Sequence, residues 1–508
     1  MHWIDQSIII LFLSSFIIFG FLQAKNNKSS DDYFLSDKKL PWYVAMFSIV
    51  ATETSVLTFI SVPGLAYRGD WFFIQLAIGY IVGRILVSII LLPVYFKTGI
   101  VSIYEVIGLK FGNNFQKTAS LIFLVTRVLA DGVRFLATAV IIQVITGWSL
   151  FFAVLVIGMV TMIYTLSGGL KTVIWIDSVQ FILYLLGGLI SIFFAINYLD
   201  ASIGSALASL QSIDKISVFN YSGSFFKDPY YFLSAIVGGI FLSFSSHGID
   251  HMMVQRVLTT KNLRSAQKAM IGSGFVVLVQ FVIFLFAGSL IFLLTNEVEI
   301  VKDREFTHFI ANYLPIGVKG LLLAGVLSAA MSTLSSSINS LASSTVSDWL
   351  HKAKDINISR LVSLAWGAVL IFIALFFNET NTAIIIVGLE IASFTYGALL
   401  GLFLLSRFQR NFNPTSLALG LLSSLIIVFV LKSYGLAWTA YIGIAACLHA
   451  VSKGAKIIEK HFSNSKNLNV STQQAHTCSM DLQDLTLLRN LSDSITLVSQ
   501  TDERNNLK

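Results

Sequence analysis

Charge is what this chain has least of. Only 12% of its 508 residues are Asp, Glu, Lys or Arg, against about 25% in a soluble globular domain. Cysteine is nearly absent as well. Cys447 and Cys478 are the only two, too few for a disulfide framework or a cysteine metal cluster. No HExxH pair, GxSxG elbow or phosphate-binding GxxxxGK string occurs, which removes the commonest signatures of metalloproteases, serine hydrolases and nucleotide-driven machines. A repeated selectivity filter or ring of charged pore residues is also missing, which speaks against a channel.

Apolar residues fill the space left by charge. They make up 55% of the chain, and the mean hydropathy is +0.78. Runs of about 18 or more apolar residues mark membrane-spanning helices. Thirteen are read here, near 4–23, 42–66, 71–96, 115–145, 149–166, 173–198, 230–254, 267–294, 316–347, 358–377, 382–406, 415–431 and 434–452. The chain is therefore expected to be an all-α integral membrane protein in contact with the lipid bilayer. Lys and Arg alternate between loops. One set of loops carries 20, from Lys25 to Lys460, including Arg256, and the other carries 7. The richer set is cytoplasmic by the positive-inside rule, so the N-terminus is expected outside and the C-terminus inside. The net charge of +7 follows from that topology and gives no reason to expect nucleic acid as a partner. The first apolar run, with Asp5 before it and Lys25 after it, lacks a cleavage pattern and reads as a retained anchor. The stretch 461–508, rich in Asn, Ser and Gln, reads as a polar, disordered cytoplasmic tail.

Against this apolar background, residues 327–347 read LSAAMSTLSSSINSLASSTVS. On a helix Ser328, Ser332, Ser335, Ser336, Asn339 and Ser343 share one face. Small residues allow close helix packing in membranes, and a row of hydroxyl oxygens also suits a small hard cation. Both readings stand on the stripe alone.

Ionisable residues inside spans are costly and mark cavities or partners. They are Glu53, Arg84, Arg127, Asp131, Arg134, Asp177, Asp250 and Glu390, with His247 and His251 flanking Asp250. Arg84 and Arg127 read as snorkelling to an interface; Glu53 lies too deep for that. The second span, VATETSVLTFISVPGLAYRGDW, crowds Thr52, Glu53, Thr54, Ser55 and Thr58 ahead of Pro63-Gly64, and an interrupted helix is expected there. The seventh is expected to break at Gly238-Gly239, before SFSSHGID. Two interrupted spans in matching positions point to an inverted-repeat transporter with its binding site at the midplane.

Six strings together resemble the sodium:solute symporter family, with a leaning to its bacterial sialic-acid, proline and sugar branch. They are SVLTFISVPGLAYRGDW (55–71), SIYEVIGLKFG (102–112), GGLKTVIWIDSVQ (168–180), VQRVLTTK (254–261), LSAAMSTLSSSINS (327–340) and IASFTYGALLG (391–401). The resemblance implies the five-plus-five inverted-repeat fold of the leucine transporter. It divides the chain into an additional helix at 1–24, repeats at 42–198 and 230–406, two further helices at 415–455, and the tail. It implies Na⁺-driven uptake of a small polar solute, such as a sugar, sialic acid, amino acid or monocarboxylate, by alternating access across the plasma membrane. It does not imply an enzyme. A membrane solute sensor is the alternative, and the short tail, with no room for a kinase, argues against it.

By the same resemblance, one sodium ion meets Ala51, Thr54, Ala329, Ser332 and Thr333, and a second set comprises Asp177, Ser335 and Ser336. The implied solute contacts are Glu53, Ser55, Thr58, Phe73, Arg134, Asp250 and Phe394. Sialic-acid relatives have a hydroxyl residue where this chain has Glu53, and a bare carboxylate would repel an anion. Arg134 or Arg127 is expected either to pair with Glu53 or to hold a solute carboxylate.

Overall fold

The computed structural model describes residues 2–24, 33–34, 39–295, 300–350, 355–375, 384–407 and 413–448. The tail expected at 461–508 and the side chain of Glu390 lie outside them. Every regular element described is a helix. Seven helices are long and apolar enough to cross a membrane, or nine when each of two bent pairs is taken as one span, among the described residues.

Helix α1 (Trp3–Ala24) precedes the core. Its Asp5 carboxylate accepts the amides of Gly317 and Gly320 at 2.7 and 2.8 Å, so an acid on α1 meets the positive end of a later helix. Next come α2 (Trp42–Glu53) and α3 (Val56–Arg68), bent by 63°. Their break lies at Thr54-Ser55, within the expected Thr52–Thr58 cluster and ahead of Pro63-Gly64. Pro63 is accommodated inside α3, as prolines often are in membrane helices, where neighbouring groups take up the freed carbonyl.

Helix α4 (Phe73–Leu86) continues through a π-turn at Val87–Leu91 into α5 (Leu92–Thr98). After the short α6 (Glu105–Phe111) comes α7 (Asn113–Thr146), which carries Arg127, Asp131 and Arg134 in its middle. The run α8 (Leu150–Leu199) bends at Gly169, whose φ of 63° needs a glycine. That bend separates the two spans read as 149–166 and 173–198.

Beyond α9 (Ile203–Ser212) lies the second bent pair, α10 (Phe232–Gly248) and α11 (His251–Leu258), at 62°. Gly238-Gly239 does not break it. Both glycines lie within α10, where Gly239 meets the backbone of Leu76 on α4 and Gly238 meets Thr439. The break falls instead at Ile249-Asp250, where the Asp250 carboxylate caps α11 by accepting the Met252 amide at 2.9 Å. Among the described residues there follow α12 (Leu263–Leu294), α13 (Glu305–Tyr313), α14 (Val318–Ser344), α15 (Ile356–Ala374), α16 (Ile384–Ser406), α17 (Pro414–Ser433) and α18 (Trp438–Leu448). Helix α14 is buried over almost its whole length and packs on α2, α3, α7, α8 and α11. The hydroxyl stripe therefore faces protein, as its polarity requires in a membrane.

Candidate functional site

The two breaks treat their backbone carbonyls differently. At the first, the Ser55 amide donates to the Glu53 carbonyl at 3.0 Å, and the Thr58 amide donates to the Ser55 carbonyl at 2.9 Å. In a continuous helix those amides would reach Ala51 and Thr54. Both carbonyls thus lose their helical donors. At the second, the Gly248 carbonyl accepts the Tyr95 hydroxyl at 2.6 Å and the Ile249 carbonyl accepts the Tyr104 hydroxyl at 3.1 Å. The carbonyls of the second break are capped by tyrosines, while those of Ala51 and Thr54 at the first have lost their helical donors.

Ser332 and Thr333 lie on α14. The Ser332 hydroxyl donates to Asp177 Oδ1 at 2.7 Å, and Thr333 Oγ1 donates to the Ala329 carbonyl at 3.1 Å. A hydroxyl whose proton is held by a carboxylate turns its lone pairs outward, as an ion ligand needs. Thr52 Oγ1 and Ser336 Oγ, 3.3 Å apart, tie α2 to α14 directly. Thr54 Oγ1 donates to Gln280 Oε1 at 2.8 Å, so its side chain is anchored to α12 while its carbonyl is free.

Beside this junction runs a crevice lined by Ser55, Val56, Asp131, Arg134, Phe135, Thr138, Ala330, Thr333 and Leu334. It holds about 240 Å³ of atom-free space, open mouth included. Of the expected residues, Ser55, Arg134 and Thr333 meet here. Thr58 is buried one turn further along α3. Asp131, Phe135, Thr138, Ala330 and Leu334 were not expected at the site. The Arg127, Asp131, Arg134 spacing, which puts all three on one face of α7, is the signal that marks the first of them.

Arg134 and Asp131 are 3.3 Å apart, but Asp131 also accepts from Arg127 Nη2 at 3.1 Å and from the Ser337 hydroxyl. Arg127 reaches on to Asp250 Oδ2 at 2.8 Å, where the Tyr396 hydroxyl donates at 2.6 Å. Arg127 is therefore buried between two carboxylates and does not snorkel. Arg134 keeps 16% of its side chain exposed, against 3% for Arg127, and is the arginine that borders the crevice.

Other expected residues are engaged elsewhere. Glu53 pairs with neither Arg134 nor Arg127. Its carboxylate meets the Arg84 guanidinium, with His247 Nε2 at 3.5 Å. Arg84 is fully buried and donates to Ser273 Oγ at 2.6 Å, so it too is an internal partner and does not snorkel. Asp250 is committed to Arg127, Tyr396 and the α11 cap. Phe73 packs edge-on against Phe281, and Phe394 stacks on Phe429.

The second expected ion set holds a resident cation. Arg256, counted with the cytoplasmic loops by its position in VQRVLTTK, is fully buried on α11. It reaches Asp177 Oδ2 at 3.3 Å and Ser48 Oγ at 3.0 Å, and also bonds to Ser336 Oγ. Ser335 donates to its own helix, at the Ser332 carbonyl.

The model of the sodium:solute symporter family matches residues 33–427. A model described as the NeuB family matches 427–503, mostly outside the described residues. The chain is 27% identical over 443 residues to the sodium/sialic acid symporter NanT of Aliivibrio fischeri, covering 83% of this chain and 86% of that one. It is 27% identical over 470 residues to the sodium-coupled monocarboxylate transporter 1 of Xenopus laevis, covering 88% and 73%. Its fold superposes on a solved Na⁺-coupled sialic acid symporter in a substrate-bound outward-open state. The TM-score is 0.81 and the identity 24%, covering 89% of this chain and 97% of that one.

Proposed function

The chain belongs to the sodium:solute symporter family, a family of transporters and not of enzymes, and on that premise we propose that this Na⁺-coupled membrane symporter carries a small carboxylate-bearing solute held by Arg134. The observation that carries this reading is Arg134 at the crevice wall. It is the partly exposed member of a charged cluster in which Asp131 already has Arg127 and Ser337. A guanidinium not needed to neutralise its neighbour is matched to a planar carboxylate. The expected repulsion by Glu53 is removed, because Arg84 neutralises it. Ser55 and Thr138 supply hydroxyls for the rest of the solute. Two relatives named for sialic acid and monocarboxylates agree in chemical class.

Sodium sits between the Ala51 and Thr54 carbonyls of the first break and Ala329, Ser332 and Thr333 of α14. The support is the pair of lost helical donors at 51 and 54. Neutral hard oxygens replace a hydration shell without holding the ion permanently. The ion ties the bent pair α2–α3 to α14 beside the crevice, so it favours the solute-competent state. It drives transport because its affinity differs between outward and inward states. The core comprises repeats at 42–198 and 230–406 in a chain of thirteen spans, with the N-terminus outside and the C-terminus cytoplasmic.

Uptake into proteoliposomes tests the reading. Labelled sialic acid, a short monocarboxylate and a neutral hexose are each supplied with an inward Na⁺ or K⁺ gradient. Na⁺-driven uptake of a carboxylate, with the hexose excluded, is expected. Na⁺-driven uptake of the hexose alone overturns it.

A further inference from the structure

Among the described residues, the acids around the crevice and the two breaks are already engaged. Asp131 Oδ1 accepts from Arg127 Nη2 at 3.1 Å and from Arg134 Nη1 at 3.3 Å. Its Oδ2 accepts the Ser337 hydroxyl, with Arg127 Nε 2.9 Å away. Asp250 Oδ1 takes the Met252 amide, and its Oδ2 takes Arg127 and Tyr396. Glu53 is held by Arg84 and His247. The Gly248 and Ile249 carbonyls accept tyrosine hydroxyls, and the Ala51 and Thr54 carbonyls are those assigned to sodium. An ammonium brings three donors and no acceptor. Entering here, it must break an existing ion pair or stay unpaired in a buried site, and either is costly.

Hydroxyls find few partners as well. Thr138 Oγ1 donates to the Arg134 carbonyl at 2.9 Å and Thr333 Oγ1 to the Ala329 carbonyl at 3.1 Å, so toward a solute both can only accept. Ser55 does not spend its hydroxyl on capping α3. The rest of the wall is Val56, Phe135, Ala330 and Leu334, all apolar. A polyol seated there would leave several hydroxyls desolvated against hydrocarbon.

We propose that the solute is a carboxylate anion with an apolar body and no ammonium group, its carboxylate on Arg134 and its body against Phe135 and Leu334. The inference rests on the Arg134 reading above and narrows it. Amino acids and polyhydroxylated acids, sialic acid among them, carry the same carboxylate and are turned away by what surrounds it. Selection of this kind works by leaving the wrong partner's polar groups unpaired.

Calorimetric titration of the native full-length protein in Na⁺ tests it. The probes are 4-methylpentanoate, L-leucine, which adds the ammonium, 4-methylpentanamide, which removes the charge, and the polyhydroxylated acids gluconate and sialic acid. 4-Methylpentanoate should bind at least about tenfold tighter than L-leucine, gluconate or sialic acid, and a Na⁺ gradient should drive its uptake into proteoliposomes. Equal or tighter binding of any of those three overturns the inference while leaving Arg134 as a carboxylate anchor. Equal binding of 4-methylpentanamide is a different failure, because it removes the carboxylate reading itself. Absence of Na⁺-dependent 4-methylpentanoate binding also overturns the inference. Phe135→Ser and Leu334→Ser, each checked for folding by thermal melting, should narrow the preference for 4-methylpentanoate over gluconate. An unchanged ratio in both folded variants overturns the role of the apolar wall.

Discussion

Glu53 and Arg84 form a largely buried ion pair between the end of α2 and the last turn of α4, with His247 3.5 Å from the same carboxylate oxygen. The pair fixes the first half of the bent span against its neighbour at the residue where the helix stops. It also takes the acid's charge away from the crevice. Removing one partner of such a pair costs about 3–5 kcal/mol, because the other is left charged and dry.

Glu53→Gln should therefore lower the melting temperature markedly in detergent while changing the sodium and solute half-saturation constants little. Glu53→Gln combined with Arg84→Gln should recover much of the loss, as a double-mutant cycle reveals. A variant that melts normally but has lost sodium affinity would return Glu53 to the ion site.

For the proposed sodium ligands, side-chain and backbone oxygens give opposite expectations. Thr333→Ala and Ser332→Ala each delete a hydroxyl. A bond to a charged group is worth about 1.5–3 kcal/mol, so the Na⁺ concentration for half-maximal uptake should rise about 10- to 100-fold. Ser332→Ala should be the more severe, since it also takes a donor from Asp177. Thr54→Val removes only the bond to Gln280 and spares the carbonyl, so its sodium dependence should stay close to native. Sodium titrations of uptake check all three.

Much of this was legible before any coordinates. Apolar runs marked the seven to nine spanning helices among the described residues, and the hydroxyl stripe on α14 marked a buried face. The presence of two broken spans was readable, and the first break falls within the expected Thr52–Thr58 cluster, but the position of the second was not. Pro63 and Gly238-Gly239 look like breakers, yet a membrane helix tolerates proline, and the glycine pair serves close packing. Ile249-Asp250 breaks with only a capping aspartate to announce it. Ion partners were least legible. Arg84 lies 31 residues from Glu53, and Arg256 lies 79 from Asp177, so nothing local couples them. Arg256 in particular reads as a loop charge until the bend carries α11 back into the core.

Arg134 and Arg127 should separate cleanly by mutation. Arg134→Gln leaves Asp131 still held by Arg127 and Ser337, so the protein should fold while solute affinity falls about 10- to 100-fold, the range for a lost charge-assisted bond. Arg134→Lys should fall between, because an ammonium cannot grip a carboxylate bidentately. Arg127→Gln instead strips a partner from both Asp131 and Asp250, and its main effect should be on stability. Calorimetric solute titration beside thermal melting distinguishes binding from folding. Equal affinity in Arg134→Gln would remove the arginine from the solute site.

The packing of α10 on α4 gives the last prediction. A Cβ on Gly239 would lie 2.5 Å from the Leu76 carbonyl oxygen, and one on Gly83 would lie 2.5 Å from that of Ile240. In both cases the obstacle is backbone, which cannot rotate aside, so the helices themselves must separate. Overpacking of this kind costs about 1–3 kcal/mol, and in a membrane no hydrophobic drive between helices offsets it. Gly239→Ala and Gly83→Ala should each lower the melting temperature. Their combination should cost less than the sum, since one separation relieves both contacts. Gly238→Ala meets the Thr439 side chain of α18 instead, so it should add independently to either. Had Gly239 served as a hinge, its alanine variant would slow transport while leaving the melting temperature untouched. A native melting temperature with slowed uptake is thus the result that would restore the hinge and remove the packing role.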